Sequence, residues 1–317
     1  MLLKKLTSFL LVLALVFTMA ACGKDEEDKD KSEGDDEATV SSAVAEFPVK
    51  IGDERIEEAP KAVLSLTPST TELLFELGYG SRVIGVSDYC NYPKEEVESK
   101  TRCGTALQPD FSAIDRRPID LVVSSVPLVE SDLVRFQQKN IPVLILARSN
   151  TLEGVYDNYI SLATAMEGNV TGAQTGKDFV NGLKELINEA EGYGNAYNAQ
   201  NEKKIRAILL RKMSYGMATG DTFEQKLFDL LGLKNEAEPY GDWLYLKKDV
   251  AALEPDVIFA DTSITAEEII ASTVYKPVAA AKNKRIMNVE LAVFERQSPR
   301  MFETLLQMAK YAYKVEE

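Results

Sequence analysis

The sequence contains no histidine. Imidazole is the commonest metal ligand and the usual acid–base group near neutral pH. Its absence removes triads of the Ser-His-Asp type and argues against a bare zinc or manganese site. Cysteine is nearly as scarce, with three residues, and there is a single tryptophan. Positive charge is also in short supply: 36 Lys and Arg stand against 50 Asp and Glu, for a formal net charge of −14. No basic stripe offsets that excess in the sequence, which argues against nucleic acid as a partner. There is no Walker-type glycine loop and no G-x-S-x-G elbow, so the usual marks of nucleotide and acyl chemistry are missing. Carboxylate pairs abound in so acidic a chain and carry no information. The expectation is a monomeric protein that binds without catalysing and needs neither cofactor nor metal.

Only one segment combines a basic start with a sustained apolar run. Lys4 and Lys5 precede Leu10 to Phe17, and Met19-Ala20-Ala21-Cys22 follows. That order is the pattern of a secretory signal, and the run is too short to cross a hydrocarbon core of about 30 Å comfortably as a helix. The cysteine after two small residues makes the segment resemble a bacterial lipoprotein signal, with Met19 where such signals prefer Leu. The resemblance implies a signal over residues 1–21 and a lipid on Cys22. From Lys24 to Glu37 no apolar side chain exceeds alanine in size. Such a stretch cannot bury enough surface to offset chain entropy. Residues 22–46 are therefore expected to form a disordered acidic stalk, extended by its own charge.

Beyond the stalk, short apolar runs alternate with helix-like segments. Residues 62–66, 82–86, 119–123 and 142–146 read as strands, and so do 204–210, 256–260 and 285–289. Strands alternating with helices imply parallel sheets covered on both faces. Residues 151–193 break the alternation. Phe179, Leu183, Leu186, Ile187 and Ala190 fall at helical spacing, and Gly168-Asn169 divides the region into two helices, the second about 20 residues long. The fold class that follows is α/β: two Rossmann-like lobes with central, mostly parallel sheets joined by one long α-helix. The expected boundaries are 47–150 for the N-terminal lobe, 151–200 for the helical connection and 201–317 for the C-terminal lobe. Cys90 and Cys103 are either a disulfide pair or two buried thiols, as spacing alone does not decide between them.

The segments VLSLTPSTTELLFELG (63–78), VIGVSDYCNYP (83–93) and FERQSPRMFE (294–303) carry a resemblance. From about Pro48 onward the chain resembles the substrate-binding proteins of ABC importers whose lobes are joined by one long helix. Trp243 and the closing segment make it most similar to the vitamin B12-binding branch. The resemblance implies a corrinoid ligand held between the lobes and delivered to a permease dimer with its ATPase subunits. Ligands of open parallel sheets bind beyond the carboxyl ends of the strands. Together these point to Pro68, Ser69, Tyr89, Leu107, Ser125, Tyr215, Trp243, Phe294 and Arg296 as ligand contacts. The resemblance further implies an exposed permease-docking acid on each lobe, Glu130 and Glu224, with Asp221 as the neighbour of the second. A ferric siderophore would use Arg211, Lys212, Arg296 and Arg300, and haem would take Tyr89, Tyr215 or Met217 on its iron. A lipoprotein that senses a ligand without transporting it, or an extracellular enzyme, is the alternative from another class.

Overall fold

The computed structural model describes residues 45–213, 216–244 and 252–315. The signal segment, Cys22, nearly all of the stalk and Tyr215 lie outside the described residues. A hairpin of β1 (Val49–Ile51) and β2 (Glu54–Ile56) opens the fold, turning at Gly52 with φ +58°. Then come β3 (Val63–Ser65), α1 (Pro68–Glu76), β4 (Val83–Val86), α2 (Lys94–Glu98), β5 (Thr101–Arg102), α3 (Phe111–Ile114), β6 (Leu121–Ser124), α4 (Glu130–Gln137) and β7 (Val143–Ile145). The sheet order is β5-β4-β3-β6-β7, and every pairing is parallel. Consecutive residues of β3 and β6 are all buried, as expected for strands covered on both faces.

Two helices follow, α5 (Leu152–Glu167) and α6 (Thr171–Gln200). The break falls at Gly168, whose φ of +107° suits glycine alone, because a Cβ there would strike Glu46. α6 has 30 residues, or about 45 Å of helix, longer than its apolar spacing suggested. Its last turns are polar and contain two glycines, yet Ala190 and Gly194 remain buried. The buried face of α6 begins with Gly172 and Gly176, where a Cβ would press into the backbone of α5. Small residues on that face let the two helix axes approach closely, as ridge-and-groove packing requires.

The chain continues through β8 (Arg206–Lys212), β9 (Gly216–Met217), α7 (Phe223–Leu230), β10 (Lys234–Asn235), β11 (Val257–Asp261), α8 (Ala266–Ala271), α9 (Ala279–Lys282), β12 (Ile286–Val289), α10 (Ala292–Glu295) and α11 (Arg300–Tyr313). Here the sheet order is β10-β8-β11-β12, parallel throughout, with β9 antiparallel to β8. One continuous apolar core runs from the first sheet through α5, α6 and α11 to the second. Separate clusters cover the opposite face of each sheet.

That division favours the second of the two readings of the cysteines, two buried thiols. Cys90 packs in the continuous core, and Cys103 packs in the cluster on the other face of the first sheet. Both are free and buried. Burial pushes both thiols above their ordinary pKa, so they are inert packing groups.

Candidate functional site

The carboxyl ends of β3, β4, β5 and β6 carry four loops that meet along one edge of the first sheet. The loop after β3 is tied to the one after β6, where the Ser125 amide donates to Thr67 Oγ1 at 3.0 Å. The loop after β4 is pinned by Arg102, whose guanidinium donates to the carbonyls of Ser87 and Cys90 at 2.9 and 2.7 Å. On this braced frame stand two apolar side chains with little cover, Tyr89 at 71% exposure and Leu107 at 65%. With Pro68, Thr105 and Val126 they line a groove of about 420 Å³. Large apolar groups held in the open on a rigid frame mark a binding surface. Beside the groove, Ser69, Ser125 and Arg296 line a small cavity of about 50 Å³ between the lobes, with Arg148, Tyr159 and Glu295.

The two lobes are fastened behind that cavity. Glu72, in the second turn of α1, is fully buried. It accepts hydrogen bonds from Arg296, from Ser298 Oγ, and from Arg300 Nε and Nη2 at 3.2 and 3.0 Å. Arg300 also pairs with Glu290 at 2.8 Å and stacks over the Tyr92 ring at 3.9 Å. Arg296 donates to Asn91 as well, at 2.8 Å. Next to this cluster Gln297 mimics a strand neighbour: it accepts from the Ser149 amide at 2.9 Å and donates to the Ser149 carbonyl at 2.6 Å. The arginines expected to meet the ligand are therefore already committed to a carboxylate.

On the second lobe, Trp243 is half-buried against the continuous core. Its backbone is left-handed, as is that of Asp242, with φ +59° and +58°. Hydrogen bonds hold this unfavourable turn. The Trp243 amide donates to Thr219 Oγ1 at 3.1 Å, and the Asp242 amide donates to Asp221 at 2.9 Å. The Arg211 guanidinium lies 5.0 Å from the indole centroid and pairs with Glu295 at 2.6 Å. Since Glu295 lines the interlobe cavity, Trp243 belongs to the rim on that side, beside Leu244 at 62% exposure.

The sequence pattern of the family described as periplasmic binding protein matches residues 63–290. The chain belongs to the periplasmic binding protein family. Among curated proteins it is 26% identical to YvrC, an ABC transporter substrate-binding lipoprotein of Bacillus subtilis, over 96% of this chain and 95% of that one. It is 22% identical to the vitamin B12-binding protein of Vibrio parahaemolyticus, over 80% and 90%. Solved structures with the same fold include the haem-binding protein RhuT of Roseiflexus, with a TM-score of 0.66, 18% identity and coverage of 81% and 99%. Another is the vitamin B12-binding protein BtuF of Vibrio cholerae, with a TM-score of 0.62, 18% identity and coverage of 82% and 100%.

Within this periplasmic binding fold, two expected roles are corrected. Phe294 is 1% exposed and packs in the continuous core, so it supports the rim from beneath and does not line it. Glu224 is 1% exposed and turns inward to Arg148 of the other lobe at 3.3 Å. It cannot serve as an exposed docking acid. Glu130 is exposed at the first turn of α4, as docking requires. Met217 is fully buried and unavailable to a metal-bearing ligand.

Glu224 yields a stability prediction. One of its oxygens is buried without a hydrogen-bond partner, and burial pushes the carboxyl pKa up although Arg148 pulls it down. A raised carboxyl pKa means that the fold holds this proton more tightly than the unfolded chain does. The associated stability is present at low pH and is lost as pH rises through the raised value. Glu224→Gln should therefore gain about 1 kcal/mol near pH 7 and less near pH 4, read by urea unfolding at both. A loss near pH 7 would show that the ion pair with Arg148 outweighs the cost of burial.

Proposed function

We propose that this chain is an extracytoplasmic solute-binding lipoprotein that captures a corrinoid-like ligand between its lobes and hands it to an ABC importer. The observation that carries the ligand class is the pairing of exposed Tyr89 and Leu107 with a ring of committed arginines. A flat, amphipathic and weakly charged ligand suits this chemistry: apolar surface to leave water on, hydroxyls from Ser69 and Ser125 to orient it, and, among the described residues lining the cavity, arginines already paired with carboxylates. An anionic siderophore that recruited Arg296 or Arg300 would have to displace Glu72, at the cost of a buried charge, whereas the Arg211–Glu295 pair is half-exposed and cheaper to open. Haem is the second reading, and exposed Tyr89 is its reason, as a phenol on an apolar groove is placed to meet an iron.

Delivery requires two further features. Glu130 on the first lobe and Asp221 on the second are exposed acids suited to a basic permease surface. Asp221 is held firmly ionised, because the Asp242 amide and the Thr219 hydroxyl lower its pKa. Rim charges of this kind act mainly on association rate and salt sensitivity. A lipid on Cys22 would keep the binder near the permease and so raise its local concentration.

Titration of the mature chain with cobalamin, cobinamide, haem and ferric siderophores tests the ligand class. Saturable quenching of Trp243 fluorescence by the corrinoids is the expected result. Tight binding of a ferric siderophore alone would overturn the corrinoid reading. Trp243→Ala, followed by calorimetry, should weaken the bound ligand by about 1–3 kcal/mol.

A further inference from the structure

The excess of negative charge is not evenly spread. Three shallow grooves of about 850, 780 and 610 Å³ lie side by side on the second lobe. They share Arg285 and Lys314 or adjoin them, and they are rich in Lys and Arg. Among the described residues, the only acids lining any of them are Glu254 and Asp256, and both pair with Arg206. Lys203, Lys204, Lys282, Lys284 and Lys314 are exposed, with no ion pair among the described residues. In a chain of net charge −14, a face this basic concentrates positive potential at one place.

Its position adds a second argument. Arg206 opens β8, Lys234 opens β10 and Arg285 precedes β12. The basic face therefore covers the amino ends of the second sheet, whereas the cleft lies at the carboxyl ends. The described chain also enters at an amino end, that of the first sheet. There Glu46 accepts from the amides of Val170 and Thr171 at the start of α6, and Arg82, just before β4, donates to the Met166 carbonyl at 2.9 Å. α6 then runs to Gln200, where Lys203 and Lys204 follow. Residue 46 and the basic face therefore lie near opposite ends of α6, both at strand amino ends and away from the carboxyl ends that carry the cleft.

We propose that this face rests on an anionic lipid bilayer, holding the tethered protein with its cleft turned toward the medium. The inference rests on the lipid-anchor reading of Cys22. Residues 23–44 extend to at most about 70–80 Å, enough slack to lie down or stand off. Basic residues near an anionic surface are attracted within about a Debye length, while the acidic remainder is repelled. Lying down suits ligand capture, and lifting off frees the rim acids for the permease.

The test uses the mature chain from residue 22 with Cys22→Ser, so that no lipid contributes, and cosedimentation with vesicles. Phosphatidylglycerol-containing vesicles should retain at least about tenfold more protein than pure phosphatidylcholine vesicles, and about 1 M salt should abolish the difference. The charge reversals Lys203→Glu, Lys204→Glu and Lys314→Glu together should remove most of the retention and leave ligand titration unchanged. Two outcomes overturn the proposal. One is equal retention by both vesicle types. The other is retention that emerges only when acidic residues 25–37 are replaced by Gly and Ser, which assigns the face to the chain's own stalk. Failure of every ligand in the titration, with vesicle binding intact, would fell the transport reading and leave this one standing.

Discussion

Glu72→Ala should destabilise the fold by about 3–5 kcal/mol, the largest effect expected of any single substitution at the site. Glu72 has no exposed surface, and its two arginine partners are less than one-fifth exposed. Removing the carboxylate leaves the two guanidinium groups with Glu290 as the only other carboxylate paired to either among the described residues, and it reaches Arg300 alone. The Ser298 hydroxyl loses its acceptor too. Urea unfolding measures the loss directly. A change below about 1 kcal/mol would mean that water replaces the carboxylate, as at an exposed pair.

The same substitution should act on motion between the lobes. The carboxylate joins the first helix of one lobe to the last helix of the other, more than 200 residues away in sequence. Hydrogen exchange should rise in the amides of residues 296–300 and 147–150, which are held together by Glu72 and by the Gln297–Ser149 exchange. The amides of β6 and β11, deep in their sheets, should keep their protection. Uniform loss of protection would indicate global destabilisation without an interlobe hinge. Glu72→Gln separates charge from shape. It keeps an acceptor for Ser298 and should cost less than alanine, yet still leave the guanidiniums uncompensated.

The physics of this cluster also explains what the sequence could tell. Strands and helices are local, and their signals are legible: seven runs read as strands contain or overlap β3, β4, β6, β7, β8, β11 and β12. The terminal helix, with apolar residues at helical spacing, falls at Arg300–Tyr313. The two-residue strands β5, β9 and β10 and the opening hairpin have too few residues to show a period. Cleft-edge positions after β3, β4 and β6 could be named because sheet topology puts ligand sites there. Side-chain commitment is different, as nothing near Arg296 announces Glu72. Glu224 is the exception that was within reach. It lies on one helical stripe with Leu227, Phe228 and Leu231, all buried, so its spacing pointed inward. Cys90 and Cys103 pack in separate clusters on opposite faces of one sheet, which spacing cannot reveal.

Tyr89→Ala and Leu107→Ala should each weaken ligand binding by about 1.5–3 kcal/mol, about tenfold to a hundredfold, while leaving the free protein's stability within about 0.5 kcal/mol of wild type. Both side chains are mostly exposed without ligand, so their apolar surface contributes little until something covers it. Glu72→Ala inverts that pattern, with a large cost in stability and a smaller direct effect on contact with the ligand. Calorimetric titration beside urea unfolding of the three variants reads both quantities. If Tyr89→Ala lowers affinity and Tyr89→Phe does not, the ring supplies apolar contact and the corrinoid reading gains. If Tyr89→Phe is as damaging as alanine, the phenol oxygen is what the ligand needs, and haem takes its place. Should neither Tyr89→Ala nor Leu107→Ala change affinity, the groove after β4 and β5 is not the ligand surface, and the cavity beside Ser69 and Ser125 must carry recognition alone.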